Sequence, residues 1–144
     1  LPSTTTRADA KDAFKTILDA AQLGVPVFRD LPPEGAPAPS VVLTLVSGSS
    51  RSGAIGLQET TTQRALEVRH RIQIDCYHDD KVECDRVADQ VEQAIADHED
   101  TFCSTYGIEN VHKVDDADVS MPNELSRQCR VRMDFGFITY RAVA

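Results

Sequence analysis

The sequence predicts a two-layer α+β sandwich: a four-stranded, mostly antiparallel sheet with two helices on one face, in the order α-β-β-α-β-β. Two segments each carry one apolar stripe at helical spacing, and two others alternate apolar and polar residues with a period of two. Two hairpins separated by a helix share one sheet, and two striped helices can cover its apolar face. The 144 residues suit a single domain, residues 1–144. A chain of that length buries enough surface to fold without disulfides or metal.

Thr6 can cap the first helix, residues 7–23, where Ala10, Phe14, Ile17, Leu18 and Ala21 draw the stripe. Gly24 and Pro26 stop it. In residues 30–39, Pro32, Pro33, Pro37 and Pro39 fix φ and remove donors, which makes a semi-rigid connector. Residues 40–46 are a short β run. Residues 47–63 read as a flexible Gly/Ser loop with Ile55 and Leu57 as its only large apolar anchors. Ordering such a loop costs roughly 1–2 kcal/mol of backbone entropy per residue, which a partner surface could partly offset.

Residues 65–77 are the clearest strand. Leu66, Val68, His70, Ile72, Ile74 and Cys76 face one way; Glu67, Arg69, Arg71, Gln73, Asp75 and Tyr77 face the other. Asp80 can cap a second helix, with Glu83 reaching back in a capping box. Its stripe is Cys84, Val87, Ala88, Val91 and Ile95, and it runs to about residue 100. A weaker β stretch, 108–121, is broken at Asp115-Asp116, and Pro122-Asn123-Glu124 reads as a turn. In the last strand, 128–140, Cys129, Val131, Met133, Phe135 and Phe137 face the helices. Arg130, Arg132, Asp134, Ile138 and Tyr140 face away. The expected core is Phe14, Leu18, Leu66, Val68, Ile72, Ile74, Val87, Val91, Ile95, Val131, Met133 and Phe135.

The net charge is −8, from 15 basic and 23 acidic residues. Non-specific binding to nucleic acid or an anionic membrane needs a basic surface, so this balance argues against both. Asp outnumbers Glu 15 to 8, and Arg outnumbers Lys 11 to 4. Many short hydrated carboxylates with few Lys stems suit high salt, where screening shortens the reach of self-repulsion. The longest apolar run is Val41-Val42-Leu43, too short to cross a bilayer. The first residues, Leu1 to Thr6, have neither the basic start nor the apolar stretch of a signal peptide.

Chemistry-bearing motifs are missing. Gly48 and Gly53 have P-loop spacing, but Ala54-Ile55 stands where Lys-Ser/Thr is needed. Ser47-Gly48-Ser49-Ser50 has no His and Asp at triad positions. His70 sits on the apolar face of a strand and reads as a satisfied, partly buried histidine. His98 lies at a helix C-terminus, where the macrodipole favours a cation. Asp79-Asp80 and Asp115-Asp116-Ala117-Asp118 lack the alternating ligands and Gly of a calcium loop. Cys76, Cys84, Cys103 and Cys129 include no CxxC pair and read as reduced small hydrophobes; a Cys76/His78/Cys84 metal site lacks a second ligand pair. No catalytic residue, metal ligand or cofactor is expected, and the profile suits an assembly or binding protein.

The succession of elements resembles the tail terminator (tail completion) proteins of long-tailed bacteriophages and archaeal tailed viruses. The likeness is carried by the opening helix (8–23), the connector (31–39), the strand 41–46 and the loop to Gln63. It continues with the strand Arg69-His70-Arg71-Ile72-Gln73-Ile74-Asp75-Cys76-Tyr77, the helix 82–95 and the strand Arg130-Val131-Arg132-Met133-Asp134-Phe135. The resemblance implies a virion structural protein at the tail–neck junction, present in the host cytoplasm during assembly. It implies a homo-oligomer, a hexameric ring that caps the tail tube protein and joins the head–neck connector, with viral DNA passing through its lumen unbound. With the acidic composition, it implies a haloarchaeal virus. Another neck or head-completion (stopper) protein, and a small cytoplasmic α+β ligand-binding domain or enzyme, stay open as alternatives.

Arg69, Arg71, Arg130 and Arg132 lie on the outward face of the two best strands with Tyr77 and Tyr140, and Arg64 and Arg127 stand near the strand starts. Three readings stay open. The face can be solvated, with Arg paired to Glu67, Asp75 and Asp134 across strands. It can be an interface, because Arg binds carboxylates bidentately and stacks on aromatics, here against an acidic helix of a neighbouring subunit. DNA contact in the lumen ranks last, because a sliding channel should not grip phosphates.

Overall fold

The computed structural model describes residues 6–30, 39–52, 64–118 and 129–143, with 47–52, 64–66 and 141–143 described by their backbone alone. The order is α1 (Arg7–Ala20), β1 (Val27–Arg29), β2 (Ser40–Ser52), β3 (Arg64–His78), α2 (Lys81–Asp97), α3 (Glu99–Tyr106), β4 (Glu109–Asp118) and β5 (Cys129–Val143). The α+β class holds, but with five strands and three helices rather than four and two. The sheet order is β1-β2-β3-β5-β4. All pairings are antiparallel except β1 with β2, which is parallel from Val27↔Val41 to Arg29↔Leu43.

α1 begins in a capping box: Thr6 Oγ1 accepts from the Asp9 N–H at 3.1 Å, and Asp9 Oδ2 accepts from the Thr6 N–H at 3.1 Å. The Thr6 N–H bond first, and the Thr6 hydroxyl second, hold the Asp9 carboxyl below its usual range. A depressed carboxylate stabilises the fold above its unfolded pKa and stops doing so as pH falls through its folded one. Thr6→Ala removes the side-chain cap and, by that loss, should cost about 1 kcal/mol near neutral pH. Part of that difference should vanish in acid, where Asp9 is protonated in both variants; thermal melts at the two pH values check it. The box expected at α2 is not formed. Asp80 caps Val82 N–H at 3.0 Å, but Glu83 is bonded to Arg86 instead.

α1 stops at Ala20, short of residue 23, because Gln22 and Gly24 both take positive φ. The helix expected to run from residue 80 to about 100 is two. It breaks at His98, whose Nδ1 lies 2.7 Å from the Ala94 carbonyl, and α3 continues to the left-handed Gly107. β2 continues to Ser52, so the first part of the expected 47–63 loop is strand; residues 53–63, with Ile55 and Leu57, lie outside the described residues. Pairing with β3 (Ser47↔Arg71 to Ser52↔Leu66) supplies the hydrogen bonds that Ser and Gly propensity did not predict, after a bulge between Leu45 and Ser47. The connector's residues 31–38 and the turn 122–124 also lie outside the described residues.

The helices lie on one face over a single core. On β3, His70, Ile72, Ile74 and Cys76 stand opposite Phe137, Phe135, Met133 and Val131 of β5. Of the expected core, Phe14, Leu18, Val68, Ile72, Ile74, Val87, Val91, Ile95, Val131, Met133 and Phe135 are buried; the Leu66 side chain is not among those described. α3 contributes Phe102, which packs on Phe14 at 4.7 Å between ring centroids, and Phe14 meets Phe137 at 5.3 Å.

Candidate functional site

The face of the sheet away from the helices gathers the polar residues of β3, β5 and β4 into rows. Across β3, β5 and β4 the register gives Arg69–Ile138–Glu109, Arg71–Gly136–His112, Gln73–Asp134–Asp115 and Asp75–Arg132–Ala117. Glu67 stands beside Tyr140, and Tyr77 beside Arg130. Alternation along β3 and β5 puts their polar side chains on this face, and the inter-strand register, with two shifts in β4, sets which of them meet.

The arginines are largely paired within the chain. Arg71 Nε and Nη2 both reach Asp134 Oδ2, at 3.0 and 2.6 Å. Arg130 Nε donates to Asp75 Oδ1 at 3.0 Å, and its guanidinium lies 5.4 Å from the Tyr77 ring centre. Gln73 Nε2 donates to Asp75 Oδ2 at 2.7 Å, and Arg69 Nε to Glu67 Oε1 at 3.0 Å. Arg132 makes no ion pair among the described residues. The carboxylates lie underneath: the side chains of Glu67, Asp75 and Asp134 are 3%, 5% and 8% exposed, and the guanidinium stems cover them. Glu67 Oε2 and Asp134 Oδ1 are buried without a hydrogen bond.

Burial pushes the Tyr77 hydroxyl up, and the Asp75 charge adds to it. Burial also raises Tyr140, which donates to Glu109 Oε2 at 3.1 Å. For Arg130, burial is the largest influence and pulls down, but the hydrogen bond to Asp75 with the charges of Asp75 and Tyr77 together outweigh it, and the net direction is up. His112 folds over Gly136: a Cβ there would lie 2.9 Å from His112 Cε1 and 3.1 Å from Val114 Cγ2. No sequence period marks that close approach.

Other candidate groups are structural in their contacts. His70 Nε2 lies 2.8 Å from Thr139 Oγ1, and its ring stacks on Phe137 at 4.9 Å. The Cys84 thiol donates to the Cys76 carbonyl at 3.2 Å, and burial pushes both thiols up, away from the reactive thiolate. Among the described residues no three His, Cys, Asp or Glu side chains group as metal ligands, and no helix is long and apolar enough to cross a membrane.

The polar groups of this one-sheet α+β module form a broad face that is largely paired within the chain. The model of the family "tail completion protein gp17" matches residues 5–140, and the chain belongs to that family. The family is that of a tail completion protein, a structural tail component and not an enzyme. Among the solved structures that share the fold are these two. One is the PVC sheath/tube terminator of an extracellular contractile injection system in the extended state: 13% identical, TM-score 0.63, covering 100% of this chain and 58% of that one. The other is a chain of the virion of a native gene transfer agent (GTA) particle: 13% identical, TM-score 0.51, covering 94% of this chain and 100% of that one. This chain thus spans little more than half the length of the PVC terminator. No curated protein matches it in sequence.

Proposed function

We propose that the protein is a tail terminator: a ring of identical subunits that caps the tail tube and presents the surface on which the head–neck connector docks. The family match over residues 5–140 carries this reading. The fold likeness to a sheath/tube terminator supports it. Six subunits are the expected number, and DNA passes through the lumen without specific binding. The Asp- and Arg-rich composition fits assembly in the high salt of a haloarchaeal host. Electron microscopy of particles carrying labelled protein tests the location. Label at one end of the tail, next to the neck, is expected; label along the tube or on the capsid contradicts it.

A second arrangement sets the arginine face itself, with Tyr77 and Tyr140, between subunits against the acidic face of α2. Arg132 favours it, because no carboxylate of its own chain is paired with it among the described residues. Arg132→Glu should then leave the unfolding midpoint within about 0.5 kcal/mol of the parent. It should also abolish rings at low salt, as read by light scattering. Normal ring yield across a range of salt contradicts that arrangement.

A further inference from the structure

The sheet has two outer edges that its own strands leave uncovered. β1 pairs with β2 only from Val41 to Leu43, and β4 pairs with β5 only from Val131 to Ile138. Beyond those limits β2, β3 and β5 continue alone, paired as far as Ser52↔Leu66 and Arg64↔Val143. Among the described residues, no strand pairs with the outer side of β2 at 47–52 or of β5 at 139–143. Each run presents backbone N–H and C=O groups, a template for another strand.

The remaining edges are blunted. β4 carries Glu109, Asp115, Asp116 and Asp118 and shifts register twice. β1 is three residues long and is followed by Asp30 at φ 65. By contrast, Ser47-Gly48-Ser49-Ser50-Arg51-Ser52 holds no Pro, Lys or acidic residue, and neither does Thr139-Tyr140-Arg141-Ala142-Val143. Pro and Lys, two devices that natural sheets use to guard an edge, are absent from both; each run carries a single charged residue, Arg51 and Arg141, and the bulge of β2 lies before Ser47.

We propose that ring subunits join edge to edge, with residues 47–52 of one copy pairing in parallel with residues 139–143 of the next. β2 and β5 both run antiparallel to β3, so they run in the same direction. A copy related by rotation therefore brings its β5 alongside β2 with the polar faces on the same side. Such a contact joins unlike surfaces, and contacts of that kind close rings. Residues 47–52 lie opposite 71–66 of β3, whereas 139–143 lie opposite 68–64. Aligning the two runs slides each neighbour by two or three residues, roughly 8 Å at ~3.3 Å per residue, across three strands about 14 Å wide. That slide is a strand tilt of about 30°, close to the ~35–45° of closed barrels.

The helix layer thickens one face, so closure puts it on the convex side. The arginine face then lines the channel, with Arg71, Arg130 and Arg69 held in the Arg71–Asp134, Arg130–Asp75 and Arg69–Glu67 pairs and Arg132 without an ion pair among the described residues. A lining most of whose cations are already paired neutralises few phosphates and lets DNA slide.

The proposal rests on the ring reading, and the mass of the unaltered protein tests that reading separately. Hydrogen exchange on the assembled ring and on dissociated subunits should show amides in 47–52 and 139–143 slowed about tenfold or more on assembly, with those of β4 unchanged. Ser49→Pro and Ser50→Pro add a second test, because adjacent residues of an edge strand point their N–H groups alternately inward and outward. One variant loses a bond to β3. The other loses only the outward donor and should keep the parent's unfolding midpoint but run at subunit mass. Full-yield rings from both variants, or protection falling on β4 or α2 instead, overturn the proposal. If the unaltered protein forms no ring, the ring reading falls and this pairing with it.

Discussion

Phe14→Ala is expected to cost about 3–5 kcal/mol, the range for removing a buried aromatic and leaving its cavity. Phe14 is fully buried in α1, and its ring touches both Phe102 of α3 and Phe137 of β5. It therefore ties two helices to the sheet at once. Domains have total stabilities of roughly 5–15 kcal/mol, so a loss of this size removes a large fraction. Urea unfolding in the salt that best supports the parent protein measures it. A shift equivalent to less than about 1 kcal/mol would mean that α3 does not pack where the structure has it.

Arg71→Ala is expected to cost about 1–3 kcal/mol. Removing one partner of a fully buried ion pair costs roughly 3–5 kcal/mol, because the other charge stays buried and unpaired. Arg71 is 39% exposed, so solvent screening reduces that figure. Asp134, already buried with one oxygen unbonded, would keep no cation. The double variant Arg71→Ala/Asp134→Ala should cost less than the two single changes together, since neither charge is then stranded. Additive losses in that cycle would contradict the pairing.

The alternation of β3 and β5 was legible because both strands have one buried apolar face and one polar face. Ile72 and Ile74 on one side, Arg69 and Arg71 on the other, define the sheet without any tertiary information. The partners were less legible. Arg71 stands opposite Gly136 in register and reaches Asp134 on the diagonal, which depends on a β3–β5 register that one sequence does not specify.

Other elements escaped for stated physical reasons. β1 is three residues long and cannot display a period. α3 buries only Phe102, so it has no stripe, and it follows α2 with only His98 between. The far half of β2 is Ser and Gly, poor strand formers held by pairing to β3. β4 is an edge strand exposed along nearly its whole length, with two register shifts that scramble what alternation it has.

The ring is the central claim, and the mass of the unaltered protein in solution tests it most directly. Light scattering across low and molar salt should find one discrete species at about six times the 15.8 kDa subunit, at least in the high-salt range. A protein that stays monomeric or dimeric at every salt and concentration would contradict the account.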